Sequence, residues 1–428
     1  MRIVIINKSD ATGGAAVVSR RLMDAFREGG TDARMLVVEK LSDSPFVEVA
    51  ASKLSIFIRF VWERLKIFFA NGFDKATLFK IDTGSDGLPL WRHPLVKEAD
   101  AILLNWVNQG MLSLKGVKKL MATGKPVIWT MHDMWNMTGI CHHAGEQNCN
   151  RFEKSCGDCP LLKNKHSLKD LSYKTWNKKD KTYTRNIPVF VAVSRWLADN
   201  AKRSLLLGDK KVEVIPNAFK LPPRQLSRKI KKENDKIKIV FGAARLDDPI
   251  KGLDKLIETA AVLKKDFPEI ASRLEFVLFG NIKNPSLLVD FPLPMINLGT
   301  IHGDDNIERV YLDGDVLVSA ASYENLPGTL VEAQAYGCIP VSFLRGGQAD
   351  IISHKTTGYL AEYSADKKQA AKNLAEGIIW SAGILEDYDR FQEILLKMRE
   401  NVENKFSYSA VTSKYLSLIN QMESCHKT

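Results

Sequence analysis

Two glutamates, Glu324 and Glu332, stand with seven residues between them, and the intervening Asn325-Leu326-Pro327-Gly328-Thr329 puts a Pro-Gly pair where a helix would start. A helix start carries unpaired N–H groups and the positive end of the helix dipole, so it takes anions. Glycine there leaves room for a ligand to approach the backbone. Glu332 can accept hydrogen bonds from the paired hydroxyls of a ribose; the plain alternative is that it complements the dipole of its own helix. Arg245 and Lys251, six apart, fall in an earlier loop with Lys251 at a helix mouth, and two such cations can hold a diphosphate. In the first half, Gly13-Gly14 and His132 each follow an apolar run. Cys141, Cys149, Cys156 and Cys159 lie within nineteen residues, beside His142 and His143. Cys156-x2-Cys159 is metal spacing, and four thiolates satisfy tetrahedral zinc; the looser Cys141-x7-Cys149 half leaves four unligated thiols as the alternative.

Short strands and helices must hold these groups. Residues 315–319 (DVLVS) are a buried parallel strand, 329–336 a helix stopped by Gly337, and 339–343 (IPVSF) the next strand. The start repeats the plan: strand 2–7, glycine turn, then a helix over 17–28 with Val18, Leu22, Ala25 and Phe26 on one face. Strands at 101–104 and 126–130 follow, joined by a helix near 115–123, and the second delivers His132-Asp133. Strands 188–193 and 212–216 end this half. Residues 221–236 turn polar and basic behind Pro222-Pro223, as a linker does. The pattern restarts with strand 237–242, a loop over 243–251 and a helix over 252–265, then strands at 274–279 and 297–299. Open α/β sheets bind ligands at the carboxyl ends of their strands, where all the groups above fall except the cysteines. Residues 407–422 form a helix with Val411, Tyr415, Leu418 and Met422 on one stripe.

The totals admit two or three domains in 428 residues. No stretch supplies 18 uncharged apolar residues, and the opening MRIVIIN is no signal peptide, so a cytoplasmic protein is expected. The reducing cytosol then disfavours disulfides. A net charge of +11 calls for an anionic partner, with no nucleic-acid motif beside the basic segments 163–181 and 228–236. Residues 54–69 (LSIFIRFVWERLKIFF) carry eleven apolar residues in sixteen. That is a basic amphipathic helix for a membrane surface or lipid carrier, or else a packing or dimer helix.

ENLPGTLVEAQAYGCIPV (324–341), followed by Gly346-Gly347, resembles the nucleotide-sugar signature of the retaining glycosyltransferases of family four, which have the GT-B fold. Residues 1–220 resemble the polysaccharide-building branch of that family. One departure is Ala320-Ala321, where a Pro-Ser pair is frequent. The resemblance implies two α/β, Rossmann-like domains facing each other across a cleft. Residues 1–220 would take the acceptor, with a helix over 407–424 packing back on them; 237–406 would take the nucleotide-sugar. Gly13 and Gly14 would face the transferred sugar and His132 would contact it. Arg245 and Lys251 would hold the diphosphate with the amides near Gly328 and Thr329, Asn325, Leu326 and Pro327 would line the donor site, Glu324 would hold the sugar hydroxyls, and Glu332 the ribose. No carboxylate pair for a covalent intermediate is evident, so front-side displacement without a metal cofactor is expected. The implied acceptor is a saccharide or lipid-linked saccharide, reached from the cytoplasm at the anionic inner membrane face. A nucleotide-sugar epimerase and a non-enzymatic basic anion-binding protein are the other readings.

Overall fold

Runs such as Ile3-Val4-Ile5-Ile6 and Ala101-Ile102-Leu103-Leu104 are apolar on both faces, so each strand must be covered by helices above and below. In the computed structural model, which describes residues 1–144, 149–163, 165–184, 187–223, 230–232 and 235–427, that is how they lie. The chain divides into two units, Met1–Ala218 with Tyr408–Thr428, and Phe219–Ser407.

The first unit holds strands β1 (Arg2–Ile6), β2 (Asp32–Val37), β3 (Val47–Val49), β4 (Ala101–Leu104), β5 (Val127–Met131), β6 (Val189–Ala192) and β7 (Val212–Val214). They pair all-parallel in the order β3-β2-β1-β4-β5-β6-β7. The order reverses at β1, with β2 on one side and β4 on the other, which opens a crevice at the carboxyl ends of these strands. Val4 and Ile6 pack into the core on one face of the sheet, and Ile3 and Ile5 into the other. Helix α1 (Gly14–Glu28) starts three residues ahead of the expected helix, because Gly13 itself caps it. The final helix, Tyr408–Lys427, packs on this unit: Val411, Tyr415 and Leu418 are buried with Phe26 and Ile5, Met422 flanks them, and Tyr415 Oη lies 2.9 Å from Thr130 Oγ1.

The second unit holds β8 (Ile237–Arg245), β9 (Leu274–Asn281), β10 (Met295–Asn297), β11 (Val316–Ser319), β12 (Ile339–Phe343) and β13 (Tyr359–Ala361), all-parallel in the order β10-β9-β8-β11-β12-β13. Strand β8 continues past the expected end at residue 242 through a bulge, so Arg245 closes a strand and does not sit in a loop. Of the expected linker, residues 224–229, 233 and 234 lie outside the described residues. Lys231 is pinned by its N–H to Leu385 O at 2.9 Å and by Asp315 at 3.0 Å.

Helix α2 (Lys53–Ala70) is built inside out. Its buried residues are Glu63, Arg64 and Ile67, while Leu54, Phe57, Ile58, Trp62 and Phe69 are each more than half exposed. Arg64, whose charge a basic amphipathic helix would turn to anionic headgroups, is instead buried: its Nη2 is paired with Asp82 and stands 3.4 Å from Glu63, and Nη1 donates to Leu78 O at 2.7 Å. The helix can lie this close to the loop after β4 because Gly110, at φ +81°, has no side chain; a Cβ there would come within 2.7 Å of Phe60 N. No described helix is long and apolar enough to cross a membrane.

Candidate active site

In the second unit the loops after β8 and β11 bring together three residues distant in sequence. Gly252, at φ +77°, lets the turn Pro249–Lys251 press on the end of β11; a Cβ would stand 2.0 Å from Ala320 O. Ser322 N donates to Ile250 O at 2.8 Å, and the two loops are zipped. Lys251 Nζ is thereby ion-paired with the Glu324 carboxylate. The Glu324 carbonyl accepts from Gly347 N at 2.8 Å, which gives the Gly346-Gly347 pair its structural task. Arg245 lies on the same carboxyl edge, its Nη2 3.1 Å from Asp248 and its Nε 3.6 Å from Asp247. Asn325 and Thr329 are half-buried, Leu326 is buried, and Pro327 caps the helix Gly328–Ala335. Glu332 sits in the second turn of that helix and not the first, so complementing the dipole does not explain it. Its Oε2 accepts from Tyr311 Oη at 2.9 Å, and Tyr311 stacks on Tyr336 at 5.8 Å.

In the first unit the carboxyl ends of β1, β4 and β5 present Lys8, Trp106 and His132-Asp133 around a cavity of about 390 Å³ that Gly13 and Gly14 also line. Burial holds His132 neutral by pushing its pKa down to about 4, and its Nε2 bonds Asn105 Oδ1 at 2.7 Å. His142 is the opposite case. Burial disfavours its charge, yet Asp133 on Nδ1 at 2.7 Å and Asp82 on Nε2 at 2.8 Å outweigh it and push the pKa up to about 10. Burial likewise opposes ionisation of Asp133, but the His142 cation holds its carboxyl well below the usual range. Lys8 is lowered by burial, and its Nζ bonds Gln109. Reading the sequence missed Lys8, Asp82, Trp106 and Tyr311. The strand-end rule that picked His132 applies equally to Asn105-Trp106, directly after β4.

The four cysteines are free thiols. Burial pushes Cys156 up to about 12, Cys159 up to about 11, and Cys141 above the usual range. Cys156 Sγ accepts from Gly139 N at 3.1 Å. Among the described residues, no group of three or more His, Cys, Asp or Glu side chains is disposed to hold a metal ion.

Residues 223–380, which contain Arg245, Lys251, Glu324 and Glu332, match the family described as Glycosyl transferases group 1. The glycogen synthase of Thermodesulfovibrio yellowstonii is 31% identical over 111 residues, covering 26% of this chain and 20% of that protein. WcaC of Escherichia coli K12, provisionally designated a colanic acid biosynthesis glycosyl transferase, is 22% identical over 302 residues, covering 66% of this chain and 69% of that one. The crystal structure of HepE from Anabaena in complex with UDP superposes with a TM-score of 0.58 at 14% identity, over 98% of this chain and 100% of that one. The chain thus spans about a fifth of the glycogen synthase and about two thirds of WcaC. The fold is that of the GT-B glycosyltransferases, two Rossmann-like parallel-sheet domains. The match to the group 1 glycosyl transferases is confined to residues 223–380.

Proposed function

We propose that this chain is a retaining glycosyltransferase of the hexosyl type. It would move a sugar from a nucleotide-sugar to a saccharide or lipid-linked saccharide in cell-surface polysaccharide biosynthesis. The observation that carries the reading is the Lys251–Glu324 pair beside Arg245, held at the carboxyl edge of the second sheet by loops that zip together. An incoming diphosphate takes over Arg245 and Lys251 from their carboxylate partners, which frees Glu324 for sugar hydroxyls. Glu332, steadied by Tyr311, accepts from the ribose. In the transfer the bond from the anomeric carbon to the phosphate oxygen breaks, and a bond to the acceptor oxygen forms on the same face. The acceptor proton passes to the departing phosphate oxygen. The two cations stabilise the charge that grows on that oxygen, so no divalent metal is required. Neutral His132 is the first unit's contact to the sugar, beside Gly13 and Gly14.

A thermal-shift screen with UDP-, GDP- and ADP-sugars, followed by a transfer assay, tests this. Stabilisation by one donor and transfer only with acceptor present is expected. Turnover without acceptor would make the protein an epimerase, and no shift with any donor would leave a basic binding protein.

The outward face of α2 supports a place on an anionic inner-membrane surface. Trp62 and Phe69 are 53% and 56% exposed, Lys66 Nζ lies 5.4 Å from the Trp62 ring centroid, and Arg59 and Lys66, both exposed, share Asp86 as a partner. A structural zinc on Cys141, Cys149, Cys156 and Cys159 is a separate proposal, supported by the Cys156-x2-Cys159 spacing alone. Elemental analysis at one zinc per chain supports it, and a ratio near zero retires it.

A further inference from the structure

The first unit has a second cavity, of about 310 Å³, that shares Trp106, Asp133 and His143 with the one beside His132. Trp106 is the aromatic side chain common to both linings. Unlike Trp129 and Trp135, which are buried in the core, it is only half-buried, with Lys8 Nζ 5.6 Å and the His142 ring 5.7 Å from its ring centroid. Its plane is fixed before anything binds. The indole Nε1 donates to Asp133 Oδ2 at 3.0 Å, and its own backbone N–H donates to Asn7 Oδ1 at 2.9 Å. Asp133 is itself clamped by Trp135 N at 2.8 Å and by His142. A polar network this enclosed holds one ring in one orientation, so the ordering cost is met before the ligand arrives. The polar rim differs on the two sides: Lys8, Glu39 and Gln109 on one, Lys80 and His142 on the other.

An aromatic face rimmed by charged and amide groups matches the two-sided chemistry of a pyranose, which offers an apolar C–H face and an edge of hydroxyls. We infer that Trp106 is a stacking platform between two successive acceptor subsites, so that the acceptor is an oligosaccharide of at least two units. The inference rests on the glycosyltransferase reading for the word acceptor, but saccharide binding at Trp106 can be measured without it.

The experiment is retention of the labelled full chain on an array of bacterial oligosaccharide fragments, two to six units long, beside their monosaccharides. Wild type is expected to hold at least one oligosaccharide tenfold or more above its monosaccharide. Trp106→Ala should fall to the monosaccharide level. Trp106→Phe, which keeps a ring but loses the bond to Asp133, should fall between, with an unchanged circular dichroism spectrum as the control for folding. No retention by wild type, equal retention of mono- and oligosaccharides, or undiminished retention by Trp106→Ala overturns the inference. The nucleotide-sugar thermal shift of the wild type is read in parallel. Trp106-dependent retention with no donor shift at all would support the platform while removing the transferase reading.

Discussion

Replacing Arg64 by Met should destabilise the first unit more than replacing Asp82 by Asn, although the two side chains are partners. Arg64 is 5% exposed and is the cation between Glu63 and Asp82, which are 1% and 0% exposed. Its Nη1 also serves Leu78 O at 2.7 Å and Ile81 O at 3.2 Å. Arg64→Met keeps the volume but leaves Glu63 and two carbonyls short of a donor. Breaking one side of a buried pair in this way costs about 3–5 kcal/mol, against about 5–15 kcal/mol for a whole domain. Asp82→Asn is softened by Glu63. Burial first, and the Asp82 charge second, push the Glu63 pKa above its ordinary value. With Asp82 neutral the second push is gone, and the Glu63 pKa moves back toward its ordinary value, which favours its pairing with Arg64. The sign with pH follows. Above its ordinary pKa, Glu63 binds more proton in the folded than in the unfolded chain, so stability falls as pH rises through that window, and Glu63→Gln should flatten the fall. Urea unfolding followed by tryptophan emission is the assay, since seven of the eight tryptophans precede residue 219 and report the first unit. An Arg64→Met loss under about 1 kcal/mol, or an Asp82→Asn loss as large as that of Arg64→Met, would refute the reasoning.

Three further outcomes are expected. Arg245→Ala and Lys251→Ala should each lower kcat/KM for transfer by about 10²–10³-fold, from about 2–4 kcal/mol of lost charge stabilisation; wild-type rates in either would put the diphosphate elsewhere. Glu332→Ala should raise the donor Kd in calorimetric titration, and Tyr311→Phe should do so less, because it removes only the bond that steadies the carboxylate at 2.9 Å; an unchanged Kd in Glu332→Ala would reduce the residue to a packing role. The protein should float with liposomes containing anionic lipid and come off as salt rises. Trp62→Ser with Phe69→Ser should abolish this, and flotation that survives the double substitution would move the anchor to another surface.

Most of both sheets was legible because buried parallel strands write themselves as short apolar runs, and the Glu324–Glu332 segment because its proline and glycine mark a helix start. What escaped depended on partners far away in sequence. The helix over 54–69 was seen, but with apolar residues on every side nothing local says which face turns inward. That is decided by Asp82, 18 residues from Arg64, and by His142, 60 residues from Asp82. Arg245 was placed in a loop because a bulge carries β8 three residues beyond the last alternating position. Trp106 reads as core, as one tryptophan after a strand does, until the two cavities it lines are known.

The final helix has a consequence for how the protein is made. Tyr415 is bonded to Thr130 across 285 residues of sequence, and the segment that follows the second unit completes the packing of the first. During synthesis, β1, β5 and α1 emerge with the groove for Val411, Tyr415 and Ile419 still open. It stays open while the second unit is translated, about 10–40 s at about 5–20 residues per second. Ring closure over that length adds little entropic cost, so the delay is one of supply and not of thermodynamics. For that interval the nascent chain presents an apolar furrow to ribosome-associated chaperones, and a premature stop near residue 407 would injure the half of the molecule that was made first.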